Sequence, residues 1–224
     1  MMQWPELTFV GNLDPRAAVS ATRLLAGLVA WPEITQRWND ESACEGMTVG
    51  ALTWHLVNQP QRIVETLLAH DRTDSRLSEP IPVSEHYAQA LWIQQDLDGP
   101  ANRGVRERGE EQAVAGPQVA AAAAQDALSR LDAVLTTVPP VVVVPWTGAA
   151  LAIEDFVATR LLEIVVHSDD LAASLGVPVP QFSYEVLSPV LTLLADISLR
   201  RHGQDALVRA LSRPQRAPKS ISAF

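Results

Sequence analysis

The sequence has almost no cysteine, and its basic side chains are nearly all arginine. Cys44 is the only cysteine among 224 residues, so no internal disulfide can form and a reducing cytoplasm is the simplest location. Cys44 follows Asp40 and Glu41, an acidic setting that disfavours a thiolate, so we interpret it as a bystander rather than a nucleophile. Lys219 is the only lysine among 17 basic residues, a bias typical of GC-rich genomes.

The sequence also lacks an excess of positive charge and any long hydrophobic run. A surface that follows nucleic-acid phosphates needs clustered Lys and Arg, whereas the formal net charge here is -9, so no nucleic-acid partner is expected. The start, MMQWPELTFV, has neither the basic residues nor the apolar core of a signal peptide, and no apolar run is long enough to span a membrane. We therefore expect a cytoplasmic protein without a membrane partner.

Helical periodicity dominates the remaining pattern. Asp14 as N-cap predicts a first helix to about Trp31, and Thr48 as N-cap predicts a second helix with a kink or break at Pro60. Further helices are predicted over 84–97, 118–138, 153–176, 184–201 and 206–211. The length suits one domain, or one domain with a small appendage, so the predicted fold is an all-α bundle with helical additions.

Two stretches are predicted to lie outside the helices. Residues 98–117 are polar and rich in Gly and Arg, which predicts a surface loop. Residues 141–144 are the only strand-like run, and the prolines on both sides leave this run extended but unpaired. No sheet is therefore expected, since one short strand cannot form one.

The helix predicted over 153–176 carries a line of polar residues. Within TRLLEIVVHSDDLAASLG, the polar side chains three and four positions apart share one side of an otherwise apolar helix: Arg160, Glu163, His167 and Asp170. Burying a carboxylate without a partner costs several kcal/mol, so we expect Glu163 to have a partner that offsets this cost. Glu163 and His167 at i, i+4 can reach one cation together, as the two histidines of an HExxH motif do.

A metal site needs a third ligand, and the candidate is His55 in TVGALTWHLVN. It stands at the border of the apolar side of the second helix, and helix bundles build metal sites from inward side chains of facing helices. The other histidines lie near helix ends, where they suit such a site less well: His70, His86 and His202.

Spacing alone leaves a reading without metal open. Glu163 and His167 would then form a local hydrogen bond, with Arg160 as the ion-pair partner of the acid, and His55 would be a satisfied core histidine. The two tryptophans nearest these residues in sequence, Trp54 and Trp146, are interpreted as packing anchors rather than substrate contacts.

Two segments, TVGALTWHL and the later WTGAALAIEDFVATRLLEIVVHSDDLAASLG, resemble the mycothiol-dependent maleylpyruvate isomerase family, a branch of the DinB-like metal-binding four-helix bundles. The resemblance implies a divalent metal, zinc in the isomerase, held by His55, Glu163 and His167. Arg160 and Asp170 correspond to an arginine and an acid of the family. We expect Asp170 to accept a ring N–H from a ligating histidine, and Arg160 to balance Glu163 or to meet an anionic group of the substrate.

The resemblance also implies an all-α, DinB-like four-helix bundle with additional C-terminal helices. It covers nearly all of 13–176, so we expect a metal-binding bundle over 1–178, a helical extension over 179–212 and a mobile tail over 213–224. The isomerase itself carries a separate C-terminal domain of mixed α/β character, whereas residues 182–211 of this chain are predicted to be helical and short. Asp169 stands where relatives often have an aromatic residue, so the pocket wall is expected to differ there. Maleylpyruvate is therefore not the expected substrate.

The chemistry that the resemblance implies is thiol addition or transfer at an electrophilic carbon, with isomerisation as a special case. Three protein ligands leave an open position, as in catalytic zinc sites, and zinc deprotonates a bound thiol. The implied thiol is mycothiol, which actinobacteria use, and the second substrate is a small electrophile. No residue beyond the metal ligands is predicted to be catalytic, and the protein is expected to be a monomer or a homodimer.

Three functions remain open: a mycothiol-dependent transferase or isomerase, a metal-binding protein without turnover in sequestration or stress response, and a helical interaction module with an ion-pair network. Bound metal separates the third function from the other two. Metal-dependent consumption of a thiol with an electrophile separates the first function from the second.

Overall fold

The computed structural model describes residues 4–69, 79–90, 93 and 99–224. Its α-helices are α1 Ala17–Val29, α2 Pro32–Gln36, α3 Val49–Ala69, α4 Val83–Ala88, α5 Pro100–Ala113, α6 Pro117–Val134, α7 Ile153–Leu175, α8 Tyr184–His202 and α9 Gln204–Ser212. Two short strands, β1 Val141–Val143 and β2 Ala150–Ala152, and a 3-10 turn at Pro214–Arg216 complete these elements.

Helices α1, α3, α6 and α7 form the bundle. Each of α1 and α3 packs against both α6 and α7, while α5 packs against α3 and the C-terminal helix α8 packs against α7 and α1. The bundle helices contribute fully buried leucines to one core: Leu25, Leu52, Leu131 and Leu161. The predicted all-α bundle with additional C-terminal helices is confirmed. None of the helices in the described part of the chain has both the length and the apolar character needed to span a bilayer.

The helices that carry the candidate ligands have the predicted boundaries. The Thr48 hydroxyl accepts a hydrogen bond from the Ala51 N–H at 3.1 Å, which is the contact of an N-cap ahead of α3. Helix α7 ends at Gly176, whose φ of 69° lies in the left-handed region that favours glycine. Helix α3 continues through Pro60 as one element, so the break considered for that position does not occur.

The loop predicted over 98–117 is wrong, because most of it forms α5. Gly99 precedes the helix and Pro100 takes its first position, where a missing N–H costs nothing. Gly109 is buried against α3, and a Cβ there would lie 3.1 Å from the Ala51 carbonyl oxygen and Cβ. This glycine therefore marks a close approach between two helices rather than a turn.

The prediction that residues 141–144 stay unpaired is also wrong. Strands β1 and β2 pair antiparallel, with Val142 opposite Leu151, and both of these side chains are fully buried. Pro140 and Pro145 flank the paired residues instead of interrupting them, so neither removes a hydrogen bond of the ladder. The hairpin leads directly into α7.

The last residues of the chain pack against α8. Ser198 Oγ donates to the Ile221 carbonyl at 2.8 Å, His202 Nε2 lies 2.8 Å from the Ser222 carbonyl, and Ala223 is buried. These contacts give the end of the predicted tail packing partners that its composition did not indicate. The division of the chain into bundle, extension and tail stays a prediction. Helix α4 is the start of the helix predicted over 84–97, most of whose remainder lies outside the described residues.

Candidate metal centre

Two neighbouring bundle helices bring the three predicted ligands together. His55 lies on α3, and its Nε2 is 3.1 Å from Oε2 of Glu163 on α7. His167 Nε2 lies 3.3 Å from the same oxygen, and the two imidazole rings meet edge to face with centroids 4.6 Å apart. One donor atom from each of these three residues therefore lies within 4.8 Å of the other two.

The local sequence explains why these side chains meet. Glu163 and His167 are separated by one helical turn, and Leu162 and Ile164 beside Glu163 are buried in the core. The core thus fixes the rotation of α7 and holds the polar line at its contact with α3. The His55 and Glu163 side chains are each 13% exposed, so the cluster is largely, but not fully, removed from water.

The donor atoms fit a divalent metal ion in type and in spacing. Two imidazoles and one carboxylate are a donor set of catalytic zinc sites. Ligand atoms bound to one tetrahedral ion at about 2.0 to 2.2 Å lie about 3.3 to 3.6 Å from each other. The separations of 3.1 and 3.3 Å from Glu163 Oε2 to the two histidine nitrogens are close to that range.

The three groups carry different charges. Burial raises the pKa of the Glu163 carboxyl, but hydrogen bonds from His167 and His55 outweigh burial and hold that pKa well below its ordinary value. Burial lowers the pKa of His167, yet its hydrogen bonds, first with Asp170, hold the pKa well above its ordinary value. Burial lowers the pKa of His55. In metal-free protein these directions favour a carboxylate at Glu163, a protonated ring at His167 and a neutral ring at His55.

Asp170 contacts the far side of the His167 ring. Its Oδ2 lies 2.9 Å from His167 Nδ1, which is the contact expected one turn beyond the histidine. Burial raises the pKa of Asp170, but the hydrogen bond from His167 outweighs it, so the net effect is a lowered pKa. With Nδ1 engaged by a carboxylate, Nε2 is the ring nitrogen that faces Glu163.

Arg160 is buried and supports the other side of the cluster through Gln59. Its Nη1 donates to Gln59 Oε1 at 2.6 Å, and Gln59 Nε2 donates to the His55 carbonyl at 2.7 Å. Arg160 Nε donates to the Thr159 hydroxyl at 3.0 Å. Among the described contacts, Arg160 forms no hydrogen bond or ion pair with Glu163, so it acts on that carboxylate only through space.

Cys44 lies beside the site, which the sequence did not indicate. Its thiol donates to Asp170 Oδ2 at 3.3 Å, and Sγ is 3.9 Å from His167 Nδ1. The expectation that a thiolate is disfavoured agrees with the raised pKa, whose largest cause is burial rather than the neighbouring acids. The interpretation of Cys44 as a bystander missed its place next to a candidate ligand.

A polar cavity of about 560 Å³ opens beside His55, between α3 and α5. Its lining includes residues of both helices: His55, Asn58, Arg62, Glu65, Arg108 and Gln112. The sequence did not indicate this cavity, because one of its walls belongs to the segment predicted to be a loop. Asp169, expected to alter a pocket wall, is exposed and does not line it.

Trp146 holds two arginines near the cavity. The guanidinium carbons of Arg62 and Arg160 lie 4.6 and 5.0 Å from the centroid of its ring. Burial, followed by the charges of Arg160 and Arg108, lowers the pKa of Arg62 to about 10. The Trp146 side chain is 45% exposed, so it is a platform for cations more than a core anchor.

Two further histidines in the described part of the chain, His86 and His202, are not members of this trio. Burial, followed by the charge of Arg160, lowers the pKa of His86 on α4 to about 4. His202 contacts the C-terminal segment, and His70 lies outside the described residues.

The comparisons with known proteins agree with the geometry. A family model described as the mycothiol maleylpyruvate isomerase N-terminal domain matches residues 18–172. No curated protein and no solved structure matches the chain. The matched span covers more than half of the chain and contains His55, Glu163 and His167. The chain therefore belongs to the mycothiol maleylpyruvate isomerase N-terminal domain family, whose members are DinB-like helical domains.

Proposed function

We propose that the protein is a metal-dependent transferase or isomerase that uses mycothiol as cosubstrate and acts on a small electrophile. The observation that carries this proposal is the convergence of His55 from α3 with Glu163 and His167 from α7 at the edge of a polar cavity. Membership of a mycothiol-linked family supports the choice of thiol. The single cysteine favours a reducing cytoplasm, and mycothiol as cosubstrate implies an actinobacterium, with which the arginine-rich composition agrees.

The residues that would hold the metal, zinc by our proposal, are His55, Glu163 and His167. A divalent ion there would supply an open coordination position and would lower the pKa of a bound thiol. Asp170 keeps the His167 ring oriented by accepting its Nδ1–H. Gln59 holds the α3 backbone at His55 and is itself held by Arg160. The His167 ring and the backbone at His55 are thus held before any ligand arrives.

In this proposal the cavity beside His55 receives the substrates. His55 belongs both to the trio and to the cavity lining, so a molecule in the cavity would lie beside one of the three ligands. Arg62 and Arg108 form no ion pair with any carboxylate in the described part of the chain. Their charges suit an anionic group of the electrophile. Asn58 and Gln112 donate to each other's amide oxygens at 2.8 and 3.3 Å, and each keeps a second N–H and a second oxygen lone pair for the hydroxyls of a sugar-containing thiol.

The test begins with elemental analysis of protein purified without chelator. We expect about one divalent ion per chain, and its loss in His167→Ala with the helical content retained. Cobalt-substituted protein should then develop a sulfur-to-cobalt charge-transfer band when mycothiol is added, but not with its S-methylated analogue. Both cobalt titrations use Cys44→Ser protein, because Cys44 is near His167 and could give the same band.

The outcomes separate the alternatives. Metal without a thiol-dependent band favours the non-catalytic metal-binding protein. No metal at all, in protein that is folded, favours the helical interaction module with an ion-pair network. Consumption of mycothiol with an electrophile only in the metal-loaded protein supports the transferase or isomerase.

A further inference from the structure

His167 presents its two ring nitrogens to two different donor sets. Nε2 faces Glu163 and His55, whereas Nδ1 faces Asp170 and Cys44. One donor atom each from Cys44, His167 and Asp170 lies within 4.8 Å of the other two. We propose that Cys44, His167 Nδ1 and Asp170 form a second metal site, which takes thiophilic divalent ions and shares the His167 ring with the first.

The distances within this second trio lie near those between donor atoms of one metal ion. With sulfur at about 2.3 Å and nitrogen or oxygen at about 2.0 to 2.2 Å, donor atoms around a tetrahedral ion lie about 3.3 to 3.7 Å apart. Cys44 Sγ is 3.3 Å from Asp170 Oδ2 and 3.9 Å from His167 Nδ1. The 2.9 Å contact between His167 Nδ1 and Asp170 is a hydrogen bond that lengthens when an ion replaces its proton.

The composition and exposure of the trio define the ion that it takes. A thiolate favours soft or borderline ions such as Zn²⁺ and Cd²⁺ over Mg²⁺ and Ca²⁺. The His167 and Asp170 side chains are 22% and 28% exposed, so an ion can enter from solvent and keep a water ligand. The first trio contains no sulfur, and the two sites therefore differ in metal preference.

The segment that carries Cys44 is fastened to the helical turn that carries Asp170. Ser174 Oγ accepts the Ala43 N–H at 2.8 Å and donates to the Asp170 carbonyl at 2.6 Å. Ser42 Oγ accepts the Cys44 N–H at 3.1 Å. The thiol is thus held beside Asp170 by backbone contacts that do not depend on the thiol itself.

Sharing one ring couples the two sites. An ion in the second site replaces the thiol proton of Cys44 and the Nδ1 proton of His167, and both protons go to solvent. When the first site is filled as well, both nitrogens of His167 are ligands and the ring is an imidazolate. The second ion therefore binds more weakly than the first, and each ion lowers the affinity for the other.

The experiment is a Cd²⁺ titration of the full chain after chelator treatment, because Cd²⁺ bound to a thiolate gives an ultraviolet charge-transfer band. Bound cadmium is counted by equilibrium dialysis. Wild-type protein should bind about two ions per chain and develop the band. Cys44→Ser should bind about one ion without the band, whereas Glu163→Gln should keep the band. His167→Ala, which removes the shared ligand, should lose affinity at both sites.

Each outcome decides the proposal. The proposal is overturned if wild-type protein gives no thiolate band. It is also overturned if Asp170→Asn and His167→Ala give the band with the same cadmium affinity as wild-type protein, because Cys44 would then bind the ion without the other two ligands. Circular dichroism shows that each variant is folded. If Cys44→Ser still binds one ion, the first site stands whatever happens to the second. If Glu163→Gln keeps the band while the cobalt test fails, the second site stands without the proposed function.

Discussion

His167 is the residue that the two proposed metal sites share. Its two ring nitrogens contact Glu163 and Asp170, so its charge and orientation depend on two carboxylates at once. Both carboxylates raise the pKa of the ring, and burial opposes them. In protein prepared without metal, this histidine contributes to folding stability as an imidazolium.

The stability of metal-free protein should therefore depend on the protonation of His167. Because its pKa is raised on folding, its contribution is complete below the unfolded pKa of about 6.5 and is lost as pH rises through the folded value. In the presence of chelator, the free energy of unfolding of wild-type protein should therefore fall more steeply than that of His167→Gln as pH rises from about 6.5 through the folded pKa of His167. Urea unfolding at a series of pH values measures the difference, and parallel curves for the two proteins would contradict it.

Asp170 should matter for metal affinity rather than for the fold. An acceptor on the Nδ1–H of a ligating histidine fixes the ring and strengthens the ligand, so Asp170→Asn should weaken metal binding by roughly 10 to 100-fold. Competition with a chromophoric chelator gives the affinity, and a Cys44→Ser background removes the contribution of the second trio. An affinity unchanged within a factor of about two would remove Asp170 from the site.

Among the elements, α5 shows what hydrophobic patterning does not capture. Helices α3 and α7 were predictable because apolar residues recur in each at helical spacing. In addition, Thr48 marks the start of α3 and Gly176 marks the end of α7. Helix α5 is polar on nearly all sides, and its contact with α3 is made through Gly109, which has no side chain to reveal it. Likewise, β2 has the sequence Ala-Leu-Ala, which has no strand pattern, so the sequence did not indicate that β1 has a pairing partner.

The close approach at Gly109 predicts opposite effects for two glycines of the same helix. Gly109→Ala places a Cβ 3.1 Å from Ala51, and the overpacking should cost about 1 to 3 kcal/mol of unfolding free energy. Gly104→Ala meets only the Arg108 side chain, at 3.4 Å, and should stabilise the protein by up to about 1 kcal/mol through helix propensity. Chemical denaturation compares them. Equal effects would contradict the proposed contact.

The site was predictable to the extent that its residues share one helix or a family resemblance. Glu163, His167 and Asp170 follow from spacing on α7. His55 was a candidate third ligand from its place on the second helix, and the resemblance to the family supported that choice. Cys44 could not be predicted, because its contact with His167 spans 123 positions and depends on the fold of the segment before α3. Long-range contacts of loops have no periodic signal in a sequence.

For the whole molecule, the trio joins α3 to α7 across the bundle. An ion that binds the folded chain and not the unfolded one stabilises it, by about 2.7 kcal/mol at a free concentration of about 100 times Kd. Zinc should therefore raise the midpoint of thermal unfolding of wild-type protein. His55→Ala, which leaves both α7 ligands in place, should show a much smaller rise when both proteins also carry Cys44→Ser to remove the second trio. An equal rise would mean that α3 contributes no ligand.

The position of Trp146 makes it an optical reporter for the cavity. Its half-exposed indole lies under the guanidinium groups of Arg62 and Arg160, so its emission responds to the charge above the ring. An anion that draws Arg62 away from the indole should change the intensity and colour of the fluorescence. The sequence contains six tryptophans, and the signal is assigned by its loss in Trp146→Phe. Libraries of small electrophiles can thus be screened for binding by tryptophan fluorescence before any turnover assay exists.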